Sequence, residues 1–292
     1  MTSSKRRTLL LAAAVTPFIH SFASAATPPD FAAIERDLGG RLGVAAIDLA
    51  TGRIAGNRQD ERFPMASTFK ATLAAAMLAR DAREPGFIDK RLRYTKADLL
   101  SYAPVTSKHV EDGMTVAELC AATVQLSDNT AANVLLKELG GPQAVTAFAR
   151  SIGDTTFRLD RWEPELNAAL AGDARDTTTP LAMARTLQKL LVGDGLPAPQ
   201  RRQLNDWMIG TTTGDKRIRA AAPAGWQVGD KTGTGGYGST NDIGIAYPPA
   251  GSTGRGPVVI AIYTHQPAKD APVREDIVAA AARAAFAALG IR

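Results

Sequence analysis

The chain has one cysteine, Cys120, among 292 residues. No intrachain disulfide can form, and no thiolate cluster can hold a metal. Histidine is nearly as scarce, with only His20, His109 and His265. No HExxH run or other zinc-ligand spacing can be written from them, so a zinc hydrolase is excluded and no metal is expected. Excess charge is small. Lys and Arg number 34 against 29 Asp and Glu, a formal +5. Lys5, Arg6 and Arg7 supply three of these charges, so the remainder carries about +2 and gives no reason to expect nucleic acid. There is no internal repeat, and no low-complexity tract beyond an alanine enrichment that helix propensity explains. The apolar stretch Thr8 to Ile19 is short against the roughly 20 residues that cross a bilayer.

What is present is an ordinary globular mixture. Hydrophobic residues make up 45% and charged residues 22%, which argues against wholesale disorder. The length fits one large domain or two intertwined ones. Residues 1–25 read as an export signal. Lys5-Arg6-Arg7 form a positive start, an apolar stretch follows, and Ala23-Ser24-Ala25 offers an A-x-A cleavage site before Ala26. Arg6-Arg7-Thr8-Leu9-Leu10 is similar to a twin-arginine signal. No cysteine follows the apolar run, so a lipoprotein anchor is not expected. The mature chain is expected to be periplasmic or secreted, with no membrane contact after cleavage.

Strand and helix signals divide the chain. Asp30 to Leu38 reads as a short helix ended by Gly39-Gly40, Arg41 to Asp48 as a strand, and Arg53 to Asn57 as its hairpin partner. From Ser67 to about Leu204 the pattern is helical: Thr68–Arg80, Val116–Leu126, Thr130–Leu139, Pro142–Ser151, Pro180–Leu191 and Pro199–Met208. Strand character returns at Trp226–Thr232, Thr240–Tyr247 and Val258–Thr264, and Ala271 to Leu289 reads as a closing helix. These signals predict an α/β protein of the α+β type. A mostly antiparallel sheet, built from both chain ends and flanked by helices, joins an all-helical lobe. The expected division is 1–25 signal, 26–60 with 211–292 as the α/β lobe, and 61–210 as the helical lobe. A cleft between lobes is the expected place for a small-molecule site.

Four motifs carry chemistry. In Ser67-Thr68-Phe69-Lys70, a serine at a helix start and a lysine three residues on share one face, roughly 5–6 Å apart at Cβ. A serine hydroxyl needs a base before it attacks, and a lysine in a crowded, dry pocket can assist. Ser-x-x-Lys alone is weak, since Ser67 could be a plain helix cap. Ser127-Asp128-Asn129 precedes a helix; it reads either as an N-cap or as a proton relay with an amide donor. Lys231-Thr232-Gly233 ends a strand and is followed by Thr234-Gly235-Gly236; a cation with hydroxyls suits a substrate carboxylate. Gly233 to Gly238 also matches GxGxxG, but a strand pattern follows rather than a helix, so a dinucleotide is not expected. Glu163 and Asn167, four positions apart in the polar stretch Arg161 to Asp176, could hold one water, with Glu163 as general base.

Each motif alone has a bland reading. The set in this order does not: Ser-x-x-Lys, Ser-Asp-Asn and Lys-Thr-Gly are joined in class A β-lactamases and penicillin-binding proteins. The chain resembles a class A serine β-lactamase over its whole mature length. The likeness extends through FPMAS, AELCAATVQLSDNTAANVLL and GDKTGTGGYGSTNDI around the three motifs. It implies that Ser67 forms an acyl-enzyme and that Lys70 and Glu163 share removal of its proton. Glu163 with Asn167 would activate the deacylating water, and Ser127 would pass a proton to the lactam nitrogen. Asn129 would bind the substrate amide, and Tyr102 would wall the cleft. The backbone N–H groups of Ser67 and Thr234 would form an oxyanion hole. Lys231, Thr232, Gly233, Thr234 and Arg217 would receive the carboxylate, with Thr240 standing where other members carry an arginine. Arg161 and Asp176 would pair and pin the loop. Glu165 falls at the wrong offset and is expected in solvent.

The resemblance implies no cofactor, a small-molecule β-lactam partner and a monomer. His109 and His265 receive no role and are expected at the surface or in packing. Ala66 and Gly235 occupy the two places that a disulfide bridges in some carbapenem-hydrolysing relatives, which argues against carbapenems. Thr234 with Gly235-Gly236 points to cephalosporins, oxyimino-cephalosporins included, beside penicillins. Three rivals share parts of the pattern. A penicillin-binding D-alanyl-D-alanine peptidase lacks an efficient deacylating base. A β-lactam sensor would carry a membrane signalling segment. A glutaminase-like serine hydrolase does not predict Glu163.

Overall fold

The computed structural model describes residues 30–291. The proposed export signal, with Lys5, Arg6, Arg7 and the Ala23–Ala25 site, lies outside them. α1 (Phe31–Leu38) begins where Asp30 Oδ1 accepts from Ala33 N at 2.8 Å, and ends at Gly39 in the left-handed region. β1 (Arg41–Asp48) and β2 (Ile54–Asn57) follow as a hairpin. The helical stretch then contains α2 (Phe69–Asp81), α3 (Val116–Gln125), α4 (Asn129–Leu139), α5 (Pro142–Ser151), α6 (Pro180–Leu191) and α7 (Ala198–Ile209). Four two-residue strands form two small clasps in this region. β3 (Phe63–Pro64) pairs with β6 (Thr177–Thr178), and β4 (Arg91–Leu92) pairs with β5 (Met114–Thr115). The chain closes with β7 (Gln227–Thr234), β8 (Thr240–Tyr247), β9 (Val258–His265) and α8 (Glu275–Ala288).

The five long strands make one antiparallel sheet in the order β2-β1-β9-β8-β7. Both ends of the chain meet in it, since β1 pairs with β9 along its whole length from Arg41↔His265 to Asp48↔Val258. β1, β8 and β9 are buried almost throughout, because helices cover both faces. On one face Leu42, Val44, Ile260 and Ile262 pack on Ile277, Ala281 and Phe286 of α8. On the other, Ile47, Ile243, Val259 and Tyr263 join the core formed with α2, α3, α4 and α6.

Three boundaries differ from the sequence reading. α8 starts at Glu275 rather than Ala271, because Pro272 disfavours helix at Ala271 and its carbonyl is taken by Gln266 Nε2 at 2.8 Å. β7 runs two residues past Thr232, with Gly233 opposite Asn241 and Thr234 opposite Thr240, so the whole third motif is strand. Ser67 sits in a 3₁₀ turn, Ala66–Thr68, that leads into α2. No helix of the described residues is long and apolar enough to cross a membrane.

Candidate active site

Three elements deliver the site. The turn before α2 carries Ser67, and the first turn of α2 carries Lys70. The link between α3 and α4 carries Ser127, with Asn129 opening α4. β7 carries Lys231 to Thr234. Two non-glycine residues here have positive φ, Ala66 at 44° and Ser127 at 58°. Such backbone costs about 1–3 kcal/mol per residue and persists only where packing imposes it. Around Ser127 the packing is provided by Asp128, which is fully buried. Its carboxylate caps α4 by accepting from Ala131 N at 2.8 Å, and it also holds Val105 N at 3.0 Å and Thr106 N at 2.9 Å. The cap therefore belongs to Asp128. Its two neighbours are left to line the cleft, and Tyr102 O accepts from Asn129 N at 3.0 Å.

Glu163 is the meeting point. Ser67 Oγ donates to Glu163 Oε1 at 3.3 Å, and Lys70 Nζ lies 3.0 Å from the same oxygen. Asn167 Nδ2 donates to Glu163 Oε2 at 2.5 Å. The side chains of Lys70 and Glu163 are both 0% exposed. Lys70 Nζ also donates to Ser127 O at 2.8 Å and Asn129 Oδ1 at 2.5 Å. Burial pushes the Lys70 ammonium below its usual range, and the Glu163 carboxylate only partly offsets this. Asn167 Oδ1 is buried and has no partner among the described residues.

Lys231 faces Ser127 from the opposite wall, donating to Ser127 Oγ at 3.1 Å and Thr232 O at 2.8 Å. Burial, and then the nearby Lys70 charge, push Lys231 down to about 7. Thr232 Oγ1 lies 2.7 Å from Thr213 Oγ1. Arg217 is buried and donates to Gly233 O at 3.0 Å, Asn241 O at 2.7 Å and Thr234 Oγ1 at 3.1 Å, while Glu275 pairs with it at 3.3 Å. β7 lies directly against the turn of Ser67, for a Cβ added at Gly233 would stand 2.8 Å from Met65 O.

A cavity of about 320 Å³ is lined by Ser67, Tyr102, Ser127, Asn129, Asn167, Thr213, Arg217, Thr232, Gly233 and Thr234. Lys70, Glu163 and Lys231 are buried behind it, bonded to the lining residues Ser67, Ser127, Asn129 and Asn167. The structure thus brings together Ser67, Lys70, Ser127, Asn129, Glu163, Asn167 and Lys231 to Thr234, leaves Asp128 out of the cleft, and adds Thr213. Glu165 is exposed, as its offset predicts. A larger cavity, about 790 Å³, lies outside α3 beside Arg91, His109 and Glu118, and contains none of these residues.

The loop 161–176 is held from four directions. Arg161 Nε donates to Asp176 Oδ2 at 2.5 Å, and Asp176 Oδ1 accepts from Asp160 N at 2.7 Å and Arg161 N at 2.9 Å. Gly236 N donates to Asn167 O at 2.8 Å. Two further ties were not anticipated from the sequence. Asn133 on α4 bonds the backbone of Glu163, and buried His265 places Nε2 2.9 Å from Ala169 O while stacking on Tyr237 at 5.4 Å. Asn133 stands four residues after Asn129, on the same helix face, and that spacing was an available signal.

Comparison with known proteins agrees with this arrangement. A family model described as the β-lactamase enzyme family matches residues 29–289. The chain is 53% identical to the carbapenem-hydrolyzing β-lactamase KPC of Klebsiella oxytoca, over 98% of each chain. It is 49% identical to β-lactamase Toho-1 of Escherichia coli, over 97% of this chain and 98% of that one. Among solved structures, a β-lactamase from Desulfarculus baarsii superposes with a TM-score of 0.87 at 55% identity, covering 90% of this chain and 96% of that one. A variant of the last common ancestor of Gram-negative bacteria class A β-lactamase gives a TM-score of 0.84 at 57% identity, covering 89% of this chain and 97% of that one. Fold and sequence define a β-lactam-opening hydrolase. The chain belongs to the β-lactamase enzyme family and, within it, to class A.

Proposed function

We propose that the protein is an exported, monomeric serine β-lactamase acting on penicillins and cephalosporins through a Ser67 acyl-enzyme. The observation that carries this reading is the convergence on Glu163. One carboxylate oxygen meets both Ser67 Oγ and Lys70 Nζ, and the other is fixed by Asn167. In the first half-reaction Ser67 Oγ attacks the lactam carbonyl and gives its proton to the Lys70–Glu163 pair. The backbone N–H groups of Ser67 and Thr234 stabilise the oxyanion. The ring C–N bond breaks, and Ser127 returns a proton to the leaving nitrogen. In the second half, Glu163 takes a proton from a water that attacks the ester; the bond from the acyl carbon to Ser67 Oγ breaks, and Glu163 gives the proton to the departing Oγ. The partnerless acceptor Asn167 Oδ1 supports a water at this place, since a buried acceptor needs a hydrogen bond.

Lys231, Thr232, Thr234 and Arg217 receive the substrate carboxylate. Asn129, whose carbonyl oxygen is taken by Lys70, offers its NH₂ group to the side-chain amide. Tyr102, 49% exposed, walls the entrance. Export rests on residues 1–25, and a mature protein beginning at Ala26 is the expected outcome of amino-terminal sequencing after secretion. The spectrum is tested by hydrolysis rates for one penicillin, one cephalosporin, one oxyimino-cephalosporin and one carbapenem. Penicillin and cephalosporin lead in this reading. A carbapenem ranking first overturns it; the KPC relative is named as carbapenem-hydrolyzing.

A further inference from the structure

Met65 and Ala66 lead into the nucleophile, and the bend at Ala66 has φ at 44°. The sheet holds the chain just before this bend. Asn241 on β8 is fully buried, and its side-chain amide is fully engaged. Its Nδ2 donates to Pro64 O at 2.9 Å and to Met65 O at 3.2 Å, which uses both N–H bonds. Its Oδ1 accepts from Thr264 N on β9 at 3.1 Å. Thr68 adds a tie within the turn, with Oγ1 donating to Met65 O at 2.8 Å. Directly opposite Asn241 in β7 stands Gly233. Both face the same atom, for a Cβ added at Gly233 would stand 2.8 Å from Met65 O.

The oxyanion hole takes its two N–H groups from different elements, Ser67 from the turn and Thr234 from β7. Their separation depends on what joins the turn to the sheet. Gly233 is the stop: its bare Cα lets the turn come close and no closer. Asn241 is the pull. We propose that Asn241 is a positioning residue that fixes the Ser67 N–H against the Thr234 N–H, and so sets the width of the oxyanion hole. It does not line the cavity, and it acts on the reaction through the backbone of residues 64 and 65. The proposal rests on the β-lactam reading above, since only that reading gives the two N–H groups an oxyanion to hold.

The main chain of Asn241 has a separate task. Its carbonyl accepts from Arg217 Nη1 at 2.7 Å, and so helps to hold the cation placed for the substrate carboxylate. Removing the side chain takes away the brace on Ser67 and leaves that carbonyl in place. The two tasks therefore separate in a side-chain variant. Preorganised donors act only where they are aimed at the developing charge, so a turn released from the sheet loses rate without losing carboxylate recognition. A general loosening of β8 would instead disturb Ser67 and Arg217 together.

The test compares Asn241→Ala with the unsubstituted chain. The first probe is an arylboronic acid without a carboxylate, which bonds to Ser67 Oγ and turns a boron-bound oxygen toward both N–H groups. Its affinity should fall on the order of 10²-fold in the variant, the scale expected when a reacting group is displaced by about 1 Å. The second probe is a cephalosporin and its carboxylate ester. kcat/KM should fall for both, and the ratio of acid to ester should stay that of the unsubstituted chain. Unchanged boronic acid affinity overturns the proposal. So does a falling ratio, because β8 as a whole would then have shifted. The unsubstituted chain supplies a measurement that no folding defect can obscure, ¹⁵N NMR of the Asn241 side-chain amide. Its protons should exchange slowly with solvent, and its resonances should shift when the boronic acid binds. Rapid exchange or an absent shift contradicts the proposal. An unsubstituted chain that forms no Ser67 adduct overturns the β-lactam reading and this proposal with it. An adduct held equally well by both chains overturns this proposal alone.

Discussion

Asn133 grips the backbone of Glu163 at both ends of its amide: Oδ1 accepts from Glu163 N at 3.0 Å, and Nδ2 donates to Glu163 O at 2.9 Å. The helix that opens with Asn129 thereby sets the height of the carboxylate that meets Ser67. Asn133→Ala removes both bonds. A loss of about 1–3 kcal/mol in unfolding free energy is expected from the stranded backbone groups. Misplacing a catalytic group by about 1 Å can cost roughly 10²-fold, so deacylation should slow more than acylation. Pre-steady-state kinetics separate the two, and an unaltered deacylation rate would refute this role.

Gly236 is a second point of contact with the same loop. A Cβ there would stand 2.8 Å from Ala168 O, a backbone atom that cannot turn aside. Gly236→Ala should push the loop outward and weaken the Gly236 N to Asn167 O bond of 2.8 Å. The expected phenotype is a longer-lived acyl-enzyme with some loss of thermal stability. Intact-mass spectra taken during turnover check this; wild-type adduct lifetime contradicts it.

Asp176 is 1% exposed and accepts from Arg161 Nε and from two backbone N–H groups. Truncating one partner of a largely buried ion pair costs about 3–5 kcal/mol. Asp176→Ala should therefore lower the unfolding free energy on that scale. Asp176→Asn, which retains an acceptor, should lose less. Equal losses in denaturant titrations would mean that charge and backbone satisfaction are not separable here.

Lys231 is pushed down to about 7 by burial and by Lys70. It is the cation, not the amine, that attracts a carboxylate. As pH rises through about 7 the free enzyme loses that cation, so KM for a carboxylate-bearing β-lactam should climb on the alkaline side. A bound carboxylate favours the protonated form, so kcat should change less over the same range. The control is a substrate analogue with the carboxylate esterified, whose KM should stay flat. Identical pH profiles for acid and ester would exclude Lys231 from carboxylate recognition.

Local chemistry was legible where one residue decides it. Pro142 and Pro180 stand at the first turn of α5 and α6, and those helices start where the prolines predict. The joining of both chain ends in one sheet also follows from where the strand patterns lie, and β1 against β9 realises it. Long-range partnership was not legible. Asn133 and Glu163 are 30 residues apart, and His265 and Ala169 are 96 apart. No local propensity ties such pairs. Asp128 illustrates a different limit: it sits inside a motif, yet its buried carboxylate serves α4 and residues 105–106 while its neighbours face the cleft.

The central claim is a Ser67 ester cleared by a water that Glu163 activates. Its most direct test is a time course of intact mass during turnover of a chromogenic cephalosporin by the unsubstituted chain, Glu163→Ala and Ser67→Ala. The unsubstituted chain should show many turnovers and at most a transient adduct on Ser67. Glu163→Ala should acylate and stall, with deacylation slowed by about 10²–10⁴-fold, the usual scale for a lost general base. Ser67→Ala should form no adduct. Rapid turnover by Glu163→Ala, or one stoichiometric burst with a lasting adduct on the unsubstituted chain, would contradict the account.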